Sequence, residues 1–256
     1  MLGVLLAIAI STTLDATGHF VYSALPLALL LAVCWWRGRH TRTGVGFTLG
    51  NRLGYFLAVL HPVVVIGSVL LGAFVAGAFD GSAVAWAPAL KKIAIVAAAT
   101  IPMAIVTEEG FFRGWLWASL HRAGMTPVRI VLATSVAFAA WHVSAIVLPT
   151  GFDVPWPQVP VYLANAVVMG IAWASLRLLS GSVVVASVSH GIWNGLAYAL
   201  FGFGEKAGAL GITDTRIWAP EVGIAGLVVN AIATFLLLAF VVRRAVDPHP
   251  GSTGSP

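Results

Sequence analysis

Long apolar runs, separated by short polar connections, dominate the chain. Runs of about twenty apolar residues predict helices that cross a membrane, because a helix of that length spans the hydrocarbon core. The pattern therefore predicts an all-α fold, a polytopic transmembrane helical bundle with about eight spans. The first run is short, and the runs lie at residues 1–14, 20–36, 53–79, 93–120, 128–148, 160–179, 182–200 and 218–242.

The composition supports a membrane protein and leaves no room for a separate soluble domain. Apolar residues make up 59% of the chain, charged residues make up 9%, and the mean hydropathy is +0.95. A soluble domain is about a quarter charged. We predict one membrane-embedded domain over residues 1–246 and a disordered, Pro-, Gly- and Ser-rich tail at 247–256. The single Cys34 excludes an internal disulfide and a cysteine-based metal cluster.

The basic residues indicate topology rather than a nucleic-acid partner, because the net charge of +5 is not gathered in one patch. Lys and Arg concentrate in the cytoplasmic connections of membrane proteins. With the N-terminus inside, ten basic residues fall on or toward the cytoplasmic side and four fall outside. We therefore predict a multi-pass protein of the cell membrane with both termini in the cytoplasm, and the Ala-, Gly- and Val-rich composition suggests a bacterial source. The ten are Arg37, Arg39, Arg42, Arg52, Arg113, Arg122, Arg129, Arg177, Arg243 and Arg244, and the four are Lys91, Lys92, Lys206 and Arg216.

Two adjacent carboxylates lie inside the fourth apolar run, where the presence of charged residues requires an explanation. Each charge at bilayer depth costs a few kcal/mol or more, so such residues are candidates for a functional site. Glu109 and Arg113 are four residues apart on the predicted helix, the spacing at which side chains meet, so we expect an ion pair. Glu108 then points about 100° away from this pair on a 3.6-residue helix and is available for chemistry.

Two later apolar runs carry polar partners for Glu108. Phe138 and His142 are four residues apart, as are His190 and Asn194, and counting from the ends of the runs places the acid and both histidines at similar depth. A carboxylate and a histidine can activate water, and a histidine and an amide can stabilise an oxyanion by about 3–4 kcal/mol per donor. Alternatively, the carboxylate and the two histidines form a zinc site with an open water position. Both alternatives hydrolyse an acyl bond.

Other polar or small residues within the runs have structural explanations. A lone histidine inside a membrane, such as His61, is usually a hydrogen-bond partner between helices. The pair Glu109–Arg113 can be purely structural, and Phe138 taken alone is a core residue. Glycines near the candidate residues favour close helix packing; they are Gly110, Gly114, Gly191 and Gly195.

The three segments resemble the signature of the CPBP family, named for CAAX proteases and bacteriocin-processing enzymes and also called the Abi family. The pattern Glu-Glu-x-x-x-Arg is present at 108–113, Phe-x-x-x-His at 138–142 and His-x-x-x-Asn at 190–194. The chain is therefore similar to type II CAAX prenyl endopeptidases over a predicted catalytic core at residues 93–200. It has neither the His-Glu-x-x-His motif of zincins nor a rhomboid-like Gly-x-Ser-x-Gly nucleophile.

The resemblance implies an intramembrane cavity that opens toward the cytosol. It assigns Glu108 and His142 to water activation and His190 and Asn194 to an oxyanion hole. It assigns the neighbouring pair Glu109 and Arg113 to structural support. The spacing of Phe138, four residues before His142, adds its ring as a further supporting residue that would wall the site off from lipid. Members of the family have been described both as metalloproteases and as metal-free glutamate proteases, so a divalent metal such as zinc at Glu108, His142 and His190 stays an open alternative.

These observations lead to one main hypothesis and two alternatives. The main hypothesis is an intramembrane endopeptidase that acts on a membrane-associated, hydrophobic or lipidated peptide or protein, with membrane lipids around it. The first alternative is a non-catalytic membrane scaffold or bacteriocin-immunity protein. The second is a transporter that uses Glu108 and the histidines as a proton relay.

Overall fold

Helices account for almost all regular structure in the computed structural model, which describes residues 2–152, 154–203 and 206–246. The predicted disordered tail lies outside the described residues. Eleven α-helices are found in this part of the chain: α1 Leu2–Ala16, α2 Leu25–Gly38, α3 Arg52–Val75, α4 Trp86–Val106, α5 Trp117–Arg122, α6 Pro127–Trp141, α7 Val143–Val147, α8 Val159–Ser180, α9 Val183–Leu200, α10 Thr215–Trp218 and α11 Ile224–Val246. Two short strands, β1 Gly202–Phe203 and β2 Lys206–Ala207, pair antiparallel after α9.

The described helices confirm an all-α, polytopic membrane bundle. Seven helical stretches are long and apolar enough to cross a membrane, and α1 is a shorter apolar helix of 15 residues. Large apolar side chains on the outside of the bundle, such as Leu29 and Phe235, are 68% and 70% exposed, as expected where lipid replaces water as the neighbour. The last span begins later than predicted, because Thr215–Trp218 forms the separate short helix α10.

The helix connections lie on two faces of the bundle. One face, here called the terminal face, holds the start of α1 and the end of α11, together with the connections 39–51, 123–126 and 181–182. The opposite face holds the connections 17–24, 76–85, 148–158 and 201–223.

Hydrogen bonds between distant segments define both faces. On the terminal face, the backbone N–H of Val183 donates to the carbonyl of Gly46 at 2.9 Å. On the opposite face, Oγ of Ser144 donates to Oδ2 of Asp15 at 2.6 Å. Each long helical stretch therefore runs from one face to the other, as in a multi-pass membrane protein.

The fourth apolar run is not one α-helix. Its first part, α4, ends at Thr107, whose backbone angles of φ −115° and ψ −101° are not helical. A π-helical segment, Glu109–Leu116, follows and is buried along its whole length before α5 begins. Short π-helical turns are rare and are often found at functional sites. By contrast, α3 continues through Pro62 as one helix.

Close contact between α4 and α9 fixes the depth of the third motif. A Cβ atom on Gly191 would lie 2.5 Å from Cγ1 of Ile101, and one on Gly195 would lie 2.7 Å from the carbonyl oxygen of Ile93. Only glycine permits this approach of the two backbones. The predicted packing role of these glycines is confirmed, and it positions His190 against the segment that follows α4.

Candidate active site

Glu109 and Arg113 form the ion pair that their spacing predicted. Nη1 of Arg113 lies 3.2 Å from Oε1 of Glu109, and both side chains are 0% exposed. Arg113 also donates from Nη2 to the carbonyl of Gly170 at 3.2 Å, and its guanidinium lies 4.4 Å from the centre of the Phe138 ring. A buried charge is tolerated when it is paired and hydrogen-bonded, so these contacts support the charge of Arg113 inside the bundle.

Glu108, one residue earlier, faces the two histidines. Its Oε2 atom lies 3.9 Å from Nε2 of His142 and 4.0 Å from Nε2 of His190. The acid side chain is 18% exposed, whereas its neighbour Glu109 is fully buried. The structure thus brings together the three residues that counting along the runs had placed at similar depth.

The hydrogen-bond partners of the two histidines fix which ring nitrogen faces Glu108. Nδ1 of His142 lies 2.9 Å from the carbonyl oxygen of Phe138, which can only accept. Nδ1 of His190 lies 3.1 Å from Oε1 of Glu109. We therefore assign the proton to Nδ1 in both rings, and both Nε2 atoms point toward Glu108.

Aromatic rings hold both imidazoles in place. Trp173 stacks on His190 with ring centres 4.0 Å apart and planes 8° apart. The ring of Phe138 lies 4.4 Å from that of His142 and also borders His190 in an edge-on contact. Phe138 is 2% exposed, so it lies inside the site rather than at a lipid boundary.

Asn194 lies one turn after His190 on α9 and is half-buried. Its side-chain amide makes no hydrogen bond to the rest of the described chain. The neighbouring Trp193 instead donates from Nε1 to Oε1 of Glu221 at 3.0 Å. Burial raises the pKa of Glu221 to about 7, against the lowering effects of Trp193 and His190. Glu221 lies at the start of the predicted last run, 218–242, and no motif singled it out there.

A cavity of about 210 Å³ connects Glu108 and His142 with the opposite face. Its walls include Tyr162 and Tyr198, which are polar-tipped aromatic residues near the ends of α8 and α9 on that face. A second acid, Asp15, also borders the cavity and accepts hydrogen bonds from Ser23 and Ser144. Sequence reasoning missed these residues because their side chains meet only through the tertiary packing of α1, α8 and α9.

The fit of a metal can be judged from the donor set. A carboxylate and two Nε2 atoms are suitable zinc ligands, and the bonds made by Nδ1 resemble those that orient metal-binding histidines. However, the separations of 3.9 and 4.0 Å from Oε2 exceed the roughly 3.3 Å expected between ligand atoms about 2.0–2.1 Å from one tetrahedral zinc. Within the described chain, no group of three His, Cys, Asp or Glu side chains is arranged to hold a metal ion. These residues do not fit a bound metal as positioned; zinc stays a prediction of the sequence.

The structure confirms that His61 is a hydrogen-bond partner between helices. Nε2 of His61 lies 3.1 Å from Oγ1 of Thr234, so it joins α3 to α11. Stacking between His61 and Trp193, with ring centres 6.3 Å apart, adds a contact to α9. This histidine therefore serves helix packing, away from Glu108.

The comparison with protein-family models agrees with the signature. A search of curated proteins finds no match to this chain. The family model of Rce1-like type II CAAX prenyl endopeptidases matches residues 90–196, which run from early α4 to late α9 and contain all three motifs. Over this segment the chain is similar to the CAAX protease (CPBP) family of membrane endopeptidases.

Proposed function

We propose that the protein is a glutamate-dependent intramembrane endopeptidase that cleaves a membrane-associated or hydrophobic peptide. The observation that carries this proposal is the convergence of Glu108 Oε2 with the Nε2 atoms of His142 and His190, at 3.9 and 4.0 Å, beside a cavity. Similarity to a protease family over residues 90–196 supports the reaction class.

Water activation falls to Glu108 and His142. A water molecule can donate one hydrogen bond to Oε2 of Glu108 and one to the lone pair on Nε2 of His142, because a single water readily bridges two acceptors this far apart. Glu108 takes the proton as the water oxygen attacks the scissile carbonyl carbon. The C–N bond then breaks as Glu108 returns that proton to the leaving amine, which leaves a carboxylic acid and an amine.

Oxyanion stabilisation falls to His190 and Asn194. With Nδ1–H of His190 bonded to Glu109, the Nε2 atom becomes a donor when the ring carries both protons. The Asn194 amide, one helical turn away, supplies a second donor, and each donor is worth about 3–4 kcal/mol in comparable sites.

The test compares Glu108→Gln with a matched acid-to-amide control, Asp80→Asn, in an exposed connection. Purified proteins are assayed in detergent on hydrophobic and lipidated fluorogenic peptides, with and without a strong chelator, alongside elemental analysis. We expect Glu108→Gln to reduce cleavage by about 10²-fold or more, the range for loss of a general base, while Asp80→Asn retains activity. Cleavage should survive chelation.

Other outcomes would support the alternatives. Activity lost on chelation, with about one zinc per chain, would turn the same residues into metal ligands. Cleavage at the wild-type rate by Glu108→Gln would remove the proposed base. Proton-coupled flux in liposomes without cleavage would favour a transporter, and biological function retained by Glu108→Gln would favour a scaffold or immunity protein.

A further inference from the structure

Two adjacent cavities on the terminal face are lined by basic side chains. One, of about 660 Å³, lies among residues 35–40 at the end of α2. The other, of about 410 Å³, lies between the connection 39–51, α5 and the end of α8. His40 borders both cavities, so they meet at that residue. The arginines that line them are Arg37 and Arg39 in the first and Arg122 and Arg177 in the second.

Arg177 is the buried cation of this group, with a relative exposure of 6%. Its Nε atom donates to the backbone carbonyl of Arg113 at 3.1 Å, and its Nη2 atom donates to the carbonyl of Gly44 at 3.0 Å. Both acceptors are neutral, and within the described chain no carboxylate pairs with Arg177 and its Nη1 atom makes no hydrogen bond. A buried charge is costly unless it is paired, so an anion in the adjoining cavity would stabilise this arginine.

Arg122 lines the same cavity as Arg177. Its Nη1 atom donates to the carbonyl of Gly38 at the end of α2. Burial and the charge of Arg122 lower the pKa of His40, so this imidazole is neutral at neutral pH and adds no further charge. The cavity therefore offers two guanidinium groups, and a guanidinium binds phosphate oxygens through parallel, charge-assisted hydrogen bonds.

The terminal face offers these arginines no acid as a counter-ion in the part that the structure describes. Its connections 39–51, 123–126 and 181–182 contain neither Asp nor Glu. Arg37 and Arg39, at the neighbouring cavity, are exposed. An anion at this position would therefore be attracted by four arginines without repulsion from a carboxylate of these connections.

Tryptophan side chains indicate that the cavities lie at the surface of the membrane. Trp35, Trp36 and Trp117 line them, and Trp36 is 78% exposed. Tryptophan is enriched where the hydrocarbon core meets the lipid headgroups. Arg37 and Arg177 lie in the last turns of α2 and α8, at the same level. Phosphate groups of lipids are the anions found at this depth, and basic pockets between the ends of membrane-spanning helices bind them.

We propose that these two cavities bind the headgroup of an anionic phospholipid. Arg122 and Arg177 hold its phosphate, and Arg37 and Arg39 add electrostatic attraction from the neighbouring cavity. Membrane topology alone accounts for solvated arginines in a connection, but not for a buried one at the wall of a cavity. Glu108 lines neither cavity, so the lipid site does not depend on the proposed endopeptidase reaction.

Native mass spectrometry of the purified protein in a neutral detergent measures the binding of the first lipid molecule. Phosphatidylglycerol, which is anionic, is titrated in parallel with phosphatidylcholine, which has no net charge, and inorganic phosphate is added as a competitor. The variant Arg37→Gln/Arg122→Gln removes one arginine from each cavity. The matched control, Arg129→Gln/Arg243→Gln, removes the same charge from two exposed arginines of the terminal face that line neither cavity.

We expect the wild type and the control to prefer phosphatidylglycerol, and Arg37→Gln/Arg122→Gln to bind it on the order of tenfold more weakly. Arg177→Lys keeps the cation but loses the planar fork, so it should weaken binding severalfold. If the double variant does not fold, Arg37→Gln alone carries the same test, because its side chain makes no hydrogen bond within the described chain and is exposed.

Three results would overturn the proposal. The first is a wild type that binds both lipids equally. The second is an equal loss of binding in the control and in the cavity variant, which would show that the total charge of the face matters rather than this site. The third is displacement of phosphatidylglycerol by inorganic phosphate at a similar concentration, which would make free phosphate the ligand instead of a lipid.

Discussion

The Oε1 atom of Glu109 lies 3.1 Å from Nδ1 of His190. The same oxygen lies 3.2 Å from Nη1 of Arg113, so one carboxylate connects the first motif to the third. Glu109 thereby holds the imidazole ring of His190, whose Nε2 atom faces Glu108. The supporting residue and the candidate catalytic residues are thus parts of one hydrogen-bonded unit, and the first prediction concerns this unit.

Replacing Glu109 by alanine should cost both stability and activity. The change leaves Arg113 buried without its ion-pair partner, which typically costs about 3–5 kcal/mol. Glu109→Gln keeps an oxygen that can accept from Nδ1 of His190, so we expect a smaller loss on both counts. Denaturant unfolding in detergent measures the loss of stability of the two variants, and cleavage rates measure their loss of activity. Equal stability of wild type and Glu109→Ala would show that the pair is not needed for the fold.

The stability of the protein should depend on the protonation of Glu221. Burial raises its pKa to about 7 from the ordinary value of 4.5. The folded state therefore retains a proton that the unfolded chain has released, and stability falls as the pH rises from about 4.5 to about 7, then levels off. Glu221→Gln should remove this fall.

Thermal unfolding between pH about 5 and about 8 measures the effect of Glu221. The melting temperature of the wild type should fall relative to that of Glu221→Gln across this range. Asp214→Asn, at a more exposed acid in the same connection, is the matched control and should follow the wild type. A constant difference between Glu221→Gln and wild type would contradict the raised pKa.

Stacking by Trp173 should affect the chemical step more than substrate binding. Its ring lies parallel to that of His190, and its Nε1 atom makes no hydrogen bond in the described chain, so replacement removes ring contacts rather than a polar bond. Aromatic stacking contributes about 0.5–1.5 kcal/mol, which corresponds to a reduction of kcat by up to about tenfold for Trp173→Leu. Trp173→Phe should lie between this variant and wild type.

Steady-state kinetics separate the two contributions of Trp173. We expect kcat to fall while KM stays near its wild-type value. Trp156→Leu, at a tryptophan that is 70% exposed, controls for the substitution itself. An equal reduction of kcat in Trp173→Phe and Trp173→Leu would show that the volume of the side chain matters rather than ring stacking.

The contact between α4 and α9 should not tolerate a methyl group at Gly191. The added Cβ would lie 2.5 Å from Cγ1 of Ile101 and 2.9 Å from the carbonyl oxygen of Ala97, so Gly191→Ala should destabilise the protein by about 1–3 kcal/mol. Gly67→Ala is the control, because its Cβ meets nothing within 4 Å and alanine favours the helix. Unfolding measurements in detergent compare the stability of Gly191→Ala with that of Gly67→Ala. If the two variants are equally stable, the close approach is not required.

Local helix geometry explains which parts of the site the sequence predicted. The contact between Glu109 and Arg113 depends on a spacing of four residues within one helical segment, and it was predicted correctly. The common depth of Glu108, His142 and His190 follows from the rise per residue along each span. Both inferences need only the position of a residue along its own helix.

Features that depend on how distant segments pack were not predictable from the sequence. Asp15 and Glu221 are ordinary acids in the sequence, and only the fold places one beside the cavity and the other against Trp193. The helix α4 ends at Thr107, and this position is neither a proline nor a glycine, so no helix-breaking residue marks the end in the sequence. The face on which the cavity opens is likewise set by α1, α8 and α9 together.

The π-helical segment Glu109–Leu116 has a consequence for protein engineering. A π-helical turn closes its hydrogen bond one residue later than an α-helical turn, so it accommodates one more residue. Keeping every residue of this segment on a regular α-helix would instead turn all that follows by about 100° relative to Glu108. Grafting the first motif onto a straight α-helix would therefore change the orientation of Glu108 relative to the residues that follow the π-helical segment. The irregular turn has to be transplanted together with the side chains.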